Sequence, residues 1–186
     1  MKKIIAILLL CLIAPAHAVE LAGARMDDKA QVGNAALQLN GAGIRTKVFF
    51  KVYVGALYMG EKKHTADAVL ADAGAKRVAL HMLRELSSEQ LLEAFGKGMA
   101  ANITPAEMTA LDVRLKEFSA IFHTMKEVVK GDVITLDYLP TAGTRISVNG
   151  AEKGHVEGTE FNRALLRIWL GDKPVDEDLK KGMLGG

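Results

Sequence analysis

Cationic and phenolic side chains alternate with other residues between Arg45 and Tyr53. The odd-numbered positions of this stretch hold Arg45, Lys47, Lys51 and Tyr53. A β-strand would place all four on one face, because successive side chains point to opposite sides of a strand. A guanidinium or ammonium group can bind an anion, and a tyrosine hydroxyl can donate a hydrogen bond to it. Phe49 shares the parity, so this face suits either solvent or a pocket for an anionic, partly apolar ligand.

The strand that would carry these groups extends from about Leu39 to Met59. β-branched and aromatic residues are dense there, which predicts one long strand or two nearly continuous strands. The other parity forms a mostly apolar face that we expect to pack on a core, and it consists of Ile44, Val48, Phe50, Val52, Val54, Ala56 and Tyr58. A β-bulge within the stretch would shift the two faces against each other.

Other chemistries have little support in the residue spacing. His64, His81, His123 and His155 are too scattered for the short spacings of zinc sites, so no metal is expected. Gly41-Ala-Gly43 lacks the third glycine and the helix of a dinucleotide loop. No nucleophile elbow, P-loop or zinc-protease motif occurs, and no cofactor is expected.

The remaining pattern predicts strands at both ends of a helical region. We expect short strands at 24–26 and 35–39, a helix at 65–73 capped by Thr65, a half-buried strand at 75–83, and a meander at 132–139, 144–149 and 151–156. Strands and helices are grouped rather than alternating as βαβ units. The predicted class is therefore α+β, an antiparallel sheet with helices packed on one face.

Helix starts are well marked by capping residues. Capping boxes begin at Ser87 and at Thr104, and the second is followed by a proline at the first helical position. From Thr104 an apolar stripe continues to Met125, which predicts one helix of about twenty residues and about 30 Å. Two more helices are expected, at 160–170 with Thr159 as its cap and Gly171 at its end, and after Asp176.

The first eighteen residues have the pattern of a secretory signal peptide. Lys2 and Lys3 precede an apolar run, and Ala16-His17-Ala18 is an A-x-A site, so we expect cleavage after Ala18 and a periplasmic protein. A lipoprotein signal at Cys11 is the alternative, but bulky Leu10 precedes that cysteine. The apolar run is too short to be expected to span a membrane.

Cleavage would leave residues 19–186 as one domain without cysteine, and hence without disulfides or thiol catalysis. The chain has 24 Lys and Arg residues against 22 Asp and Glu residues, and Lys2 and Lys3 account for the difference. A neutral balance argues against nucleic acid as a partner, because phosphate binding needs a basic surface. We expect a monomer.

Two blocks of sequence resemble chalcone isomerases. Gly41-Ala-Gly-Ile-Arg45, followed by Phe49 to Tyr58, is similar to that family's Gly-Ala-Gly-Val-Arg and Phe-x-Lys-Phe-Thr-Ala-Ile-Gly-Val-Tyr. The helix at 161–170 and the segment from Gly171 to Lys180 are similar to the family's last two helices and the turn between them. The resemblance implies an open-faced sandwich, with a ligand cleft between a large antiparallel sheet and a helical layer.

The resemblance also implies site residues. Plant isomerases cyclise a chalcone to a flavanone, and relatives bind fatty acids. The arginine matching Arg45 stabilises a phenolate or enolate, and Tyr53 stands where those enzymes have a threonine. Arg45 and Tyr53 are therefore the catalytic candidates, and the ligand-binding candidates are Arg45, Tyr53, Lys51, Phe118, Phe122, Ile168 and Trp169. The segment between Arg45 and Phe49 is shorter than in the plant enzymes, and their central-helix tyrosine and asparagine have no counterpart.

Three functions are compatible with this sequence. The first is binding of a small hydrophobic anion, a fatty acid or a planar phenol, at Arg45. The second is an intramolecular lyase of the chalcone isomerase type, with Arg45 as electrophilic stabiliser and Tyr53 as hydrogen-bond donor. The third is a partner-binding module that uses the strand face containing Lys47 and Lys51.

Overall fold

A computed structural model describes residues 18–186. Apart from Ala18, the predicted signal peptide lies outside these residues. The strands are β1 (Ala18–Leu21), β2 (Ala24–Asp27), β3 (Lys29–Val32), β4 (Ala35–Lys47), β5 (Phe50–Met59), β6 (Lys76–Met82), β7 (Leu86–Ser87), β8 (Glu127–Val128), β9 (Val133–Leu139), β10 (Gly143–Val148) and β11 (Ala151–Val156). The helices are α1 (Ala66–Ala71), α2 (Ser88–Asn102), α3 (Pro105–Ala110), α4 (Asp112–His123), α5 (Thr159–Leu170) and α6 (Glu177–Met183).

One antiparallel sheet of seven strands organises the fold. Its order is β11-β10-β9-β6-β5-β4-β3, and each neighbouring pair is antiparallel. β1 pairs with β2, and β7 pairs with β8, in separate two-stranded sheets. The predicted α+β class, an antiparallel sheet with helices packed on one face, is confirmed. No helix within residues 18–186 combines the length and the apolar character needed to cross a membrane.

The predicted long strand is a hairpin. Lys47 pairs with Phe50, so Val48 and Phe49 form a two-residue turn, and Val48 has a positive φ of 59°. Val48, Phe49 and Phe50, which we name the hairpin tip, are 77%, 90% and 62% exposed. The expectation that Val48 and Phe50 pack on a core is therefore wrong. The sequence predicts one long strand or two nearly continuous strands rather than a hairpin, because the turn contains no glycine, asparagine or aspartate, the usual residues of two-residue hairpins.

A bulge follows the turn. Arg45 pairs with Tyr53 while Thr46 pairs with Lys51, which leaves Val52 as the extra residue on β5. Because of this bulge, Val52 lies in the same core as Tyr53, on the face opposite to the one predicted for it.

Each face of the sheet carries a hydrophobic core, and helices contribute to only one of the two. A larger core lies between the sheet and the helices, and from β5 it includes Tyr53, Leu57 and Met59. A smaller core on the opposite face contains Met26, Val32, Leu37, Leu39, Val54, Ala56, Tyr58 and Ala79. All eight residues from Val52 to Met59 are consequently buried.

The sheet curls around the smaller core. A Cβ atom on Gly33, in the turn after β3, would lie 3.0 Å from Leu139 Cδ2, at the end of β9. Arg77 of β6 donates from Nη2 to the backbone oxygen of Gln31 on β3, at 3.3 Å. Arg77 also binds Asp137 of β9, so one guanidinium connects three strands across the curl.

The helical layer agrees with the predicted caps but differs at two places. Ser87 and Thr104 form the predicted capping boxes. The prediction of a single long helix is wrong, because the chain leaves helical geometry at Leu111, with φ −95° and ψ 1°, between α3 and α4. Gly158 rather than Thr159 caps α5, and the Thr159 hydroxyl is instead hydrogen-bonded to that of Tyr138 at 2.9 Å.

Tyr58 makes the fold sensitive to high pH. Burial raises the pKa of Tyr58 from 10.0 to about 12, and Asp27 contributes in the same direction. The unfolded chain therefore loses the phenolic proton before the folded protein does. We expect this group to leave the free energy of unfolding unchanged well below pH 10, and to lower it by at most about 2 kcal/mol between pH 10 and 12.

Urea titrations across that pH range, on wild type and Tyr58→Phe, would measure this effect. The decrease in the free energy of unfolding between pH 10 and 12 should be smaller in Tyr58→Phe, by the contribution assigned to Tyr58. Equal slopes in the two proteins would contradict the assignment to Tyr58.

Candidate functional site

Arg45 and Tyr53 lie next to each other on the sheet face that meets the helices. They are cross-strand partners on β4 and β5, and Arg45 Cζ lies 5.5 Å from the centre of the Tyr53 ring. Tyr53 is buried, and its hydroxyl oxygen accepts a hydrogen bond of 2.9 Å from Trp169 Nε1 on α5. The sheet and the helical layer therefore meet at a polar contact inside an otherwise apolar core.

Two donor groups at this contact, one on Arg45 and one on Tyr53, have no hydrogen-bond acceptor within residues 18–186. Among the described residues, Nε of Arg45 is the buried side-chain nitrogen that lacks a hydrogen-bond partner. The Tyr53 oxygen accepts from Trp169, so its own hydrogen remains available to donate. An unpaired buried donor is destabilising by about 1–3 kcal/mol, and an anion would remove that penalty.

The Tyr53 hydroxyl is suited to donate a hydrogen bond rather than to act as a base. Burial raises the pKa of Tyr53, while the neighbouring Arg45 charge and the Trp169 hydrogen bond lower it to a smaller extent. Asp176 adds a further upward contribution. The phenol is therefore neutral near pH 7, and beside Arg45 it forms a pair of donors suited to a carboxylate, a phenolate or an enolate.

Asp176 ties helix α6 to the strand that carries Arg45. Its Oδ1 accepts from the backbone nitrogens of Asp178 and Leu179, which caps the helix. Its Oδ2 accepts from the backbone nitrogen of Thr46 at 2.9 Å, one residue after Arg45. The carboxylate thus fixes the start of α6 against β4 beside the site.

Glycines allow α6 to lie directly on β4. A Cβ atom on Gly43 would lie 2.8 Å from Leu179 Cα, and one on Gly182 would lie 2.5 Å from the backbone oxygen of Ala42. The buried side chain of Asn40 fixes the other end of the helix, donating to the backbone oxygen of Met183 at 2.8 Å. We name the contact of Gly41 and Gly43 with Gly182 the glycine contact.

Aromatic rings lead from this site into the core. Phe95 lies 6.0 Å from Trp169, 5.5 Å from Phe118 and 5.4 Å from Phe122, measured between ring centres. Phe161 continues the series at 5.5 Å from Phe118. The donors at Arg45 and Tyr53 therefore lie at one end of a continuous aromatic cluster.

The comparisons with known proteins agree with this architecture. A family model described as chalcone isomerase-like matches residues 18–185, nearly all of the chain. The chain belongs to the chalcone isomerase-like family. Its fold is similar to the crystal structure of a fatty-acid binding protein of Arabidopsis thaliana, with a TM-score of 0.66 and 15% sequence identity over 90% of this chain and 96% of that one. No curated protein sequence matches the chain significantly.

Several predicted site residues lie together in this chalcone isomerase-like chain. Arg45, Tyr53 and Trp169 meet at the polar contact, and Phe118 and Phe122 belong to the aromatic cluster reached through Phe95. The sequence reasoning passed over Phe95 because its spacing on α2 is that of an ordinary core residue. It also passed over Asp176, which was expected only to start a helix.

The other two predicted residues lie elsewhere. Ile168 contacts α2, since a Cβ on Gly98 would lie 2.8 Å from its Cγ2. Lys51 is exposed at the start of β5, in the pair with Thr46. Neither residue contributes to the polar contact itself.

Five surface cavities among the described residues lie away from Arg45. One of about 430 Å³ lies between α3, α4 and α5 and is lined by Arg114, Arg163 and Arg167 together with Glu107. None of five surface cavities in residues 18–186 is lined by Arg45, Tyr53 or Trp169. In the same residues, no group of three or more His, Cys, Asp or Glu side chains could hold a metal ion.

Proposed function

We propose that this chalcone isomerase-like protein binds a small hydrophobic anion, a fatty acid or a planar phenol, with its charged group at Arg45. The observation that carries the proposal is the buried Nε of Arg45, which has no hydrogen-bond partner in the described part of the chain, next to Tyr53, whose hydroxyl is the second donor. A carboxylate or phenolate oxygen can accept from both groups, and hydrogen bonds to charged partners are the stronger kind.

The apolar part of the ligand would enter the core that the aromatic cluster now fills. Trp169, Phe118 and Phe122 are buried, so a chain or ring can enter only if side chains move. Met82, Met99 and Met125 belong to the same core, and methionine side chains repack readily around irregular shapes. The structural similarity to a fatty-acid binding protein supports this ligand class.

Native mass spectrometry of protein purified from cells would test the proposal. We expect wild type to retain an anionic amphiphile, and Arg45→Ala to lose it. Because Arg45→Ala removes an unpaired buried donor, its free energy of unfolding should stay within about 1 kcal/mol of wild type. Lys51→Ala is the matched control, since it removes a nearby exposed cation and should keep the ligand.

Addition of fatty acid to the purified proteins completes the experiment. Wild type that is empty and takes up neither a fatty acid nor a planar phenol would contradict the proposal. Equal uptake by wild type and Arg45→Ala would contradict the role of Arg45 while leaving ligand binding in place.

A second candidate function follows from the free hydrogen of the Tyr53 hydroxyl. A neutral phenol next to a guanidinium stabilises an enolate, which is the developing charge in chalcone cyclisation. Flavanone formation above the spontaneous rate, reduced in both Arg45→Ala and Tyr53→Phe, would support an intramolecular lyase. Rates equal to buffer would exclude it.

We also propose that the protein is exported and processed after Ala18. The proposal rests on Lys2 and Lys3, the apolar run and the Ala16-His17-Ala18 site. The intact mass from a periplasmic extract tests it in the same experiment. A chain that begins at Val19 is expected, and a full-length chain in the cytoplasmic fraction would contradict export.

A further inference from the structure

We propose that the hairpin tip docks on an anionic lipid bilayer. The tip places three consecutive apolar side chains in solvent, and Phe49 is 90% exposed. Transfer of such apolar side chains out of water is favourable, and aromatic residues are enriched at bilayer interfaces. The proposal goes beyond ligand binding and does not depend on the identity of a ligand at Arg45.

The conformation of the tip is itself unfavourable for folding. Val48 has a φ of 59°, in a region where a β-branched side chain is strained. Glycine adopts this conformation without strain, and it is the usual residue at the first central position of such a turn. Neither stability nor solubility accounts for a valine at this position, whereas insertion into an apolar phase does.

Cations surround the apolar side chains. Lys47 and Lys51 flank the tip along the chain, and both are exposed. Arg84, in the segment after β6, places its Cζ 5.1 Å from the centre of the Phe50 ring. When rings insert below the level of the head groups, ammonium and guanidinium groups at their base meet the lipid phosphates.

Three acidic groups lie near these cations, and one of them, Asp176, accepts a hydrogen bond from the backbone nitrogen of Thr46. Glu85 is adjacent to Arg84 and is exposed. Glu93 of α2 pairs with Lys97, whose hydrogen bond lowers the pKa of Glu93, and Lys47 contributes a smaller effect in the same direction. The tip therefore presents three cations around its apolar residues, a charge complementary to an anionic surface.

A bilayer fits the shape of the tip better than a protein does. Stable protein interfaces bury about 800 Å² on each partner, which requires a broad surface. A two-residue turn that projects from the end of a hairpin presents only a small convex surface. Insertion into a lipid interface needs no complementary surface on the other side.

Co-sedimentation with vesicles tests the proposal. Neutral vesicles contain phosphatidylcholine alone, and anionic vesicles contain equal parts phosphatidylcholine and phosphatidylglycerol. We expect wild type to bind the anionic vesicles, and more weakly as salt is raised. Phe49→Ser should lower the partition coefficient by about tenfold or more, because one large apolar side chain no longer enters the interface.

Two further variants separate the apolar and the charged contributions. Val48→Gly removes an apolar side chain and relieves the backbone strain at this position. The variant should therefore remain folded and bind less. The double variant Lys47→Glu, Lys51→Glu should lose more than about tenfold on anionic vesicles. Its binding to neutral vesicles should change far less.

Matched controls lie elsewhere on the same chain. Val113 is 67% exposed on α4, and Val113→Ser should leave binding unchanged. The double variant Lys62→Glu, Lys153→Glu changes the net charge equally at two exposed lysines outside the tip. All variants share one N-terminus, so any difference reports the substituted positions.

Two results would overturn the proposal. The first is absence of vesicle binding by wild type, and the second is an equal loss in the tip variants and their controls. If the first result is accompanied by a dimer in solution that Phe49→Ser dissociates, the tip is instead a contact between two copies of the chain.

Discussion

Gly41→Ala should lower the free energy of unfolding by about 3 kcal/mol or more, because it separates α6 from β4. A Cβ atom at position 41 would overlap the backbone oxygen of Gly182 and lie 2.7 Å from the backbone nitrogen of Gly185. Both atoms belong to the backbone, so no side-chain rotation can relieve the overlap. The helix must move away, and the other contacts of α6 with the strand weaken with it.

Urea titration followed by the fluorescence of the single tryptophan, Trp169, would measure this effect. Gly96→Ala is the matched control, because a Cβ atom on this α2 glycine would have no neighbour within 4 Å. There the change should raise stability by up to about 1 kcal/mol, as it does in exposed helices. Similar stabilities of Gly41→Ala and wild type would contradict the glycine contact.

Asp137→Ala should lower the free energy of unfolding by about 3–5 kcal/mol. The Asp137 side chain is 2% exposed, and it accepts from Nη2 of Arg77 at 2.7 Å and from Nη2 of Arg145 at 3.1 Å. Its hydrogen bonds raise the pKa of Arg77. Without the carboxylate, the two guanidinium groups on the strands that flank β9 lose their shared counter-charge, and the arginine that reaches Gln31 across the curl is no longer fixed.

An exposed ion pair provides the comparison for Asp137. Asp112 binds Lys116 on α4 at 2.7 Å, but both side chains are more than half exposed. Asp112→Ala should change stability by less than about 1 kcal/mol, since water solvates the remaining lysine. The same urea titrations measure both variants. Equal effects at the two positions would show that burial of Asp137 does not determine its contribution.

Much of the fold could be predicted from local sequence. The capping boxes at Ser87 and Thr104 satisfy helix ends with residues three positions apart, so their signal lies within one turn. The meander after residue 132 could be predicted because alternation of apolar residues and turn signals are equally local. The break at Leu111 could not, because an apolar stripe with spacings of three and four continues across it.

The site shows a different limit of sequence reasoning. The parity of Arg45 and Tyr53 predicts that they share a face, but on one continuous strand they would be about 26 Å apart. The turn at Val48 and the bulge at Val52 instead make them direct partners. Neither feature has a local signature. The positions of Asp176 and Trp169 depend on packing between distant segments, which spacing along the chain does not reveal.

The glycine contact also has a consequence for the order of folding. Asn40 and Met183 are 143 positions apart in sequence, yet they share a hydrogen bond at the end of α6. Closing so long a loop is entropically unfavourable until the intervening segments are compact, and non-local contacts of this kind slow folding. We expect α6 to dock late in refolding, when the sheet and the other helices have formed. Until then the strand that carries Arg45 is open to water along its glycines.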